Sequence, residues 1–463
     1  MTIEEKDKAY IWHPFTQMKG WCEDKQIVIT EAKGIKLMNS DGREYYDGVS
    51  SLWVNIHGHK RLEIDQAIIV QLGKVAHSTA LGLANVPATE FAEMLVKVSP
   101  KGLEKVFYSD DGSTAVEVAL KMAFQYWQHK GKKEKNKFIA LDSAYHGDTI
   151  GSVSVGGVDL FHRTFKSLLF DTYKIPSPSC YHCNLTKKYD CKMQCLEILE
   201  SVLKDHHENI AGLIIEPLVQ AAAGMLMAPA GYLKRVRELT QKYDVLLIAD
   251  EVATGFGRTG KMFACDNEGI SPDFMCISKG ITGGYMPLAA TLTTNEIYHA
   301  FLGDMAAKKT FYHGHSYTAN QLACAAGIAS LKIFETDHVI EQLQEKIECI
   351  ANRLVKINNM PHVGDARQRG MIIGIELMKE KNNKIPYEWD KCMGAVVCMK
   401  AREYGLFIRP VGDVVVFMPP LCSTKKEINS MLDIIEKSIY EITELGKKVT
   451  SGRSTHFYKT ITI

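Results

Sequence analysis

Two apolar runs that end on charged residues constrain this chain more than any other stretch. Val245 to Ala249 is long enough for a buried strand and runs directly into Asp250 and Glu251. Phe274 to Ile277 is a shorter run that ends on Ser278, Lys279 and Gly280. Neither alternates polar with apolar residues, as expected of strands covered on both faces of a parallel sheet. Open α/β sheets bind ligands at the carboxyl ends of their strands, so a carboxylate and a lysine amine are expected on one such edge.

That pairing suits pyridoxal phosphate, whose aldehyde condenses with a lysine amine while a carboxylate keeps the ring nitrogen protonated. A strand-end turn at Asp250–Glu251 and a solvated Lys279 explain the same spacing equally well, because strand-end charges are common in α/β proteins. Composition narrows the partners. The 55 Lys and Arg nearly cancel the 54 Asp and Glu, leaving a net charge of +1. No general field for nucleic acid or membrane follows, so small molecules are the expected partners. The basic run Lys130 to Lys137 reads as a solvated loop. No apolar run reaches the ~20 residues that span a bilayer, and the N-terminus lacks the apolar core of a signal peptide. A cytosolic location is expected, with the 12 cysteines mostly free thiols.

Other stations fall at strand ends. Lys105 to Tyr108 leads into SDDGSTAVEVALKMAFQYW, where Val116, Ala119, Leu120, Ala123 and Trp127 recur at helical spacing. Gly112 and Ser113 therefore open a helix directly after a strand, where free amides and the helix dipole suit a phosphate. Asp110 and Asp111 must then point elsewhere. Lys137 to Leu141 is followed by Tyr145-His146-Gly147-Asp148, and an aromatic there can stack on a planar ring. Ile210 to Glu216 is a further strand, ending at Glu-Pro. Ser316 or Thr318, at the expected start of an Ala-rich helix, is a second candidate phosphate contact. Asp41-Gly42 fits a hairpin turn. Trp53, His57, Gly58 and His59 cluster in a loop, and packing or a cofactor edge explains them better than metal.

The strand and helix order predicts an α/β protein with a large domain at 61–339. Residues 1–60 and 340–446 are expected to form a smaller α/β domain with an N-terminal arm, and 447–463 a tail. Arg409, between apolar strands of the smaller domain, is either an ion-pair partner or a carboxylate clamp. Cys180, Cys183, Cys191 and Cys195 form a Cys-rich insertion whose spacing is atypical of zinc ribbons, so a reduced loop without metal is expected.

Taken together, DEVATGFGRTGKMFA, SKGITGGYMPLA, WHPFTQM, WVNIHGH, YSDDGSTAVEVALKMA, AYHGDT, FYHGHSYTAN and RPVGD resemble the class III aminotransferases of the fold-type I pyridoxal phosphate group. The resemblance runs from about residue 11 to 445 and points to the branch that serves biotin biosynthesis. It implies a homodimeric transaminase with active sites shared between subunits. Lys279 would bind the cofactor and shuttle protons, Asp250 would pair with the ring nitrogen, and Tyr145 would stack on the ring. Gly112 and Ser113 would hold the phosphate, joined by His315 and Ser316 of the second subunit. Trp53, Gly314, Arg409 and Phe15 would line the substrate side, with Tyr145 and Lys279. Two departures stand out, Phe15 where the family commonly has Tyr, and His315-Ser316 where Pro-Thr is frequent. The missing Phe15 hydroxyl leaves the amino donor open between S-adenosylmethionine and lysine, tilting slightly to lysine. An aminomutase of the same fold, another ω-aminotransferase, and a non-catalytic cofactor-binding module are the alternatives.

Overall fold

A computed structural model describes residues 1–185 and 191–445. The tail expected at 447–463 lies outside the described residues. The chain divides into two compact units, one spanning Leu62–Ile340 and the other combining Met1–Arg61 with the chain from Glu341 onward.

The larger unit is built on seven strands, β1 (Leu103–Ser109), β2 (Lys137–Leu141), β3 (Tyr173–Ile175), β4 (Ile210–Ile215), β5 (Leu246–Asp250), β6 (Phe274–Ile277) and β7 (Ala289–Thr294). They lie in the order β1-β7-β6-β5-β4-β2-β3. Parallel pairing runs from β3 through β6, and only β7 is antiparallel to its neighbours. Every residue of β4, β5 and β6 is buried, which is why these runs show no polar alternation.

Helices cover the faces. α1 (Leu62–Leu72), α2 (Val86–Val98), α3 (Gly112–His129) and α4 (Gln321–Thr336) belong to this unit. The predicted stripe of α3 is buried at Val116, Ala119, Leu120, Ala123 and Trp127, and packs with Ile214, Ile248 and Phe274 in one core cluster. Trp127 Nε1 donates to the Ala211 carbonyl at 2.8 Å, satisfying the one polar atom this large ring buries. Each of the larger side chains, Val116, Leu120, Ile214, Ile248 and Phe274, contributes roughly 1.5–3 kcal/mol, enough to carry the local strain described below.

α4 begins at Gln321, with Asn320 as its cap accepting from Ala323 N at 3.0 Å. Ser316 and Thr318 therefore sit in the loop before the helix and not at its start. Thr318 Oγ1 accepts from His315 N at 2.9 Å instead, closing a turn within that loop.

In the smaller unit, Lys36–Asn39 and Glu44–Asp47 form the expected hairpin around Asp41-Gly42, with Gly42 at φ 77°. A second sheet pairs Val363–Arg369, Ile372–Leu377, Val414–Phe417 and Arg409–Val411 in that order. α5 (Met393–Glu403) and the helix Leu343–Asn358 pack on it, the helix Lys425–Tyr440 packs on both of these, and a wider π-type turn at Glu441–Leu445 ends the described chain. Among the described residues, no helix is long and apolar enough to cross a membrane.

Candidate active site

The carboxyl ends of β2, β4, β5 and β6 meet on one edge because β4 and β5 are central and parallel. Asp250 closes β5 and is buried. Its Oδ2 lies 2.6 Å from His146 Nδ1, and its Oδ1 accepts from Val252 N at 3.1 Å. His146, also buried, comes from the loop after β2. Its Nε2 is buried without a hydrogen-bond partner. The neighbouring acid has a different task. Glu251 turns inward and accepts from Thr254 Oγ1 at 2.6 Å, Ala264 N at 3.0 Å and Cys265 N at 2.8 Å. Burial pushes its carboxyl up to about 7. Asp250 is thus the acid presented at the sheet edge, and Glu251 braces the loop behind it.

Lys279 follows β6 in a single 3-10 turn, Lys279–Thr282, and holds φ 47°. A left-handed non-glycine residue costs about 1–3 kcal/mol and concentrates at functional sites. Ser278 Oγ clamps the turn by donating to the Leu288 carbonyl at 2.8 Å. The Lys279 side chain keeps some accessible surface, while its amine lies deep enough for burial to lower its pKa. Asp250 and Glu216 oppose that shift and Arg258 adds to it.

Glu216 was not singled out from the sequence. It sits at the end of β4, accepting from Tyr145 N at 3.0 Å and Ala221 N at 2.9 Å. Burial raises its carboxyl to about 7, with Asp250 raising it further and His146 lowering it. It therefore anchors the Tyr145-His146 loop from beneath. A lone carboxylate closing an all-apolar strand before a proline was the available signal. Tyr145 completes the group, its hydroxyl donating to Asp148 Oδ2 at 2.7 Å and burial raising its pKa.

α3 opens at Gly112, capped by Asp111, whose side chain accepts from Thr114 N at 2.9 Å. Asp110 Oδ2 lies 2.9 Å from His315 Nδ1. Asp111 is spent on the Thr114 amide and Asp110 faces His315, so neither acid occupies the Gly112 and Ser113 amides that a phosphate there requires. The Gly112 and Ser113 amides find no acceptor among the described residues. Gly147, at φ 117°, passes so close that a Cβ on it would lie 1.9 Å from Ser113 Oγ. Asp148 N donates to that hydroxyl at 3.1 Å. These features fit pyridoxal phosphate: two unpaired helix-start amides and a hydroxyl for the phosphate, a braced carboxylate for the ring nitrogen, and a buried amine.

His315 and Ser316 lie on a surface loop, with Tyr312 79% and Tyr317 63% exposed. His77 Nε2 meets the Ser316 carbonyl at 2.8 Å. A Cβ on Gly314 would meet nothing within 4 Å. In the smaller unit Phe15 holds φ 50° and is 40% exposed. Trp53, at φ 64°, follows Ser50 and Ser51, both also left-handed. His59 Nε2 lies 3.1 Å from Asp47 Oδ2, so that imidazole is held in an ion-pair position. Arg409 opens the strand Arg409–Val411, and no ion pair engages it among the described residues. Cys180, Cys183, Cys191 and Cys195 are free thiols, the last buried. Among the described residues no group of three or more His, Cys, Asp or Glu is arranged to hold a metal ion.

Comparisons agree with this chemistry. The family described as Aminotransferase class-III matches residues 20–439. A Geobacter sulfurreducens protein named adenosylmethionine-8-amino-7-oxononanoate aminotransferase is 52% identical, covering 96% of this chain and 98% of its own. The crystal structure of the Methanocaldococcus jannaschii protein of the same name superposes with a TM-score of 0.91 at 47% identity, covering 95% of this chain and 98% of that one. A Pseudomonas jessenii omega transaminase, solved in complex with PMP, has a TM-score of 0.91 at 28% identity, covering 96% and 99%. This chain belongs to the class-III aminotransferases, which are pyridoxal-phosphate-dependent enzymes.

Proposed function

We propose that this enzyme aminates the 7-keto group of 8-amino-7-oxononanoate, giving 7,8-diaminononanoate for biotin biosynthesis, with S-adenosylmethionine as the amino donor. The observation that carries the chemistry is the strand-end group of Lys279, Asp250 braced by His146, and Glu216. The substrate assignment rests on the activity named for relatives that match over nearly their full length. Those names favour S-adenosylmethionine over the tilt to lysine drawn from Phe15. A missing hydrogen bond is worth only about 0.5–1.5 kcal/mol, too little to outweigh end-to-end similarity.

The bound cofactor supplies an electron sink for the carbanion formed when the substrate Cα loses its proton. Lys279 is the base that moves that proton, and burial favours the neutral amine this needs. Asp250 holds the proton on the ring nitrogen, with His146 fixing the carboxylate's orientation. Tyr145 presents its ring face, held by Asp148 through its hydroxyl and by Glu216 through its amide. Gly112 and Ser113 bind the phosphate through two amides and a hydroxyl. Arg409 takes a substrate carboxylate in bidentate fashion, and Trp53, Gly314 and Phe15 border the substrate.

The same reading makes the enzyme a cytosolic homodimer in which His315 and Ser316 serve the partner's phosphate. Apolar side chains exposed in the larger unit support the dimer, among them Leu81 (90% exposed), Val86 and Ile69. A decisive experiment supplies holoenzyme and 8-amino-7-oxononanoate with either donor and follows the diamine by mass spectrometry. Diamine with S-adenosylmethionine and none with lysine is the expected result. Diamine with lysine alone overturns the donor, and none with either overturns the substrate.

A further inference from the structure

The smaller unit contains a cleft of about 810 Å³. Its walls include Ile27, Leu37, Met399 and Phe407, and three cations line it, Lys25, which lies 3.4 Å from Asp41, and the two guanidiniums of Arg402 and Arg409. Arg402 lies in the last turn of α5, seven positions before Arg409. Its guanidinium carbon stacks 4.9 Å from the Phe407 ring centroid. That contact covers one face and leaves the N–H edge without a partner. Arg402 Nε is buried and makes no hydrogen bond. No salt bridge engages either arginine among the described residues.

Two guanidiniums held in one apolar-walled cleft repel each other and are poorly solvated, a cost that an anion between them removes. Burial and the Arg409 charge both work against the charged form of Arg402, with Cys398, Tyr45 and Asp24 opposing. Asp24 also lines the cleft, and its charge offsets only part of that cost at Arg402. Guanidinium stays charged in proteins, so the deficit calls for a ligand anion.

We propose that Arg402 is a second carboxylate-recognising residue, acting with Arg409 so that this cleft takes the carboxylate end of an aliphatic acid. This rests on the reading above of a substrate that carries a carboxylate on a hydrocarbon chain. The apolar walls suit the chain, and the two planar forks give the carboxylate more donors than one arginine can. A merely structural Arg402, stacked on Phe407 at a helix end, affects acid and neutral ligands alike.

The test uses holoenzyme and two isosteric probes, nonanoate and nonanamide, with binding measured by calorimetry. Arg402→Met is expected to weaken nonanoate at least tenfold and change nonanamide less than twofold. It should raise KM for the keto acid at least tenfold with kcat within threefold. Arg402→Lys, which keeps the charge and the fold, should fall between wild type and Arg402→Met. Equal weakening of both probes, an unchanged nonanoate affinity in either variant, or no binding of nonanoate to wild type overturns the proposal. If nonanoate binds through Arg402 while the keto acid is not aminated, the substrate reading fails and this inference stands. If Arg402→Met aminates the keto acid with an undiminished KM, the inference fails and the substrate reading stands.

Discussion

His146 Nδ1 and Asp250 Oδ2 meet at 2.6 Å, both side chains buried at the edge of the sheet. The carboxylate's other oxygen is held by Val252 N, so His146 and that amide together fix the plane of the carboxylate. A hydrogen bond to a charged group is worth about 1.5–3 kcal/mol. His146→Phe should therefore lose about 10- to 150-fold in cofactor affinity or turnover, and His146→Asn, which can still donate, should recover part. Cofactor titration and steady-state rates check this, and a fully active Phe variant contradicts it.

Gly147 crosses Ser113 at a distance no side chain tolerates. Gly147→Ala places a methyl where Ser113 Oγ now stands, at a φ of 117° that costs an L-residue about 1–3 kcal/mol. Cofactor dissociation measured by equilibrium dialysis should increase at least tenfold, with Gly131→Ala, also left-handed but in open space, as the control. Equal cofactor affinity in the two variants would show that Gly147 does not shape the phosphate cradle.

Glu251 makes a stability prediction with a definite sign. Burial raises its carboxyl from an ordinary 4.5 to about 7. Between those values the folded chain keeps a proton that the unfolded chain has released. Its stabilising contribution is present below about 4.5 and is lost as pH rises through about 7. The loss is about 3 kcal/mol. Urea unfolding of cofactor-free protein at pH 5 and pH 7 should show Glu251→Gln declining less than wild type by about 2 kcal/mol, the share of that loss that falls between these two pH values. Parallel slopes for the two would contradict the assignment.

How much of this was legible in the sequence follows from which contacts are local. β5, β6 and the opening of α3 could be read because an apolar run or a helical stripe declares itself within a dozen residues. Asp250, Lys279, Gly112 and Ser113 came with them. Glu216 and His146 were not readable as partners of Asp250, because strand order places β4 beside β5 and β2 one strand further on, and strand order is a non-local property. The start of α4 was misplaced because Ser316, Thr318 and Asn320 are all competent caps, and only the folded loop shows that Thr318 closes the His315 turn instead. Arg402 was passed over since a basic residue in the last turn of a helix is ordinary. Its significance depends on sharing a cleft with Arg409.

The dimer reading predicts complementation. Subunits carrying Lys279→Ala and subunits carrying Ser316→Ala with His315→Ala should each be impaired, and hybrid dimers should regain activity at one site. Mixing after mild dissociation, followed by rate measurement, checks this. A monomer that keeps full activity at high dilution contradicts it.

The most direct test of the central claim concerns Lys279 itself. Borohydride reduction of the holoenzyme, followed by proteolysis and mass spectrometry, should find the cofactor fixed to Lys279 and to no other lysine. Lys279→Ala should bind the cofactor without its visible lysine-linked absorption and should not turn over. Label on a different lysine, or an unchanged spectrum in Lys279→Ala, would contradict the account.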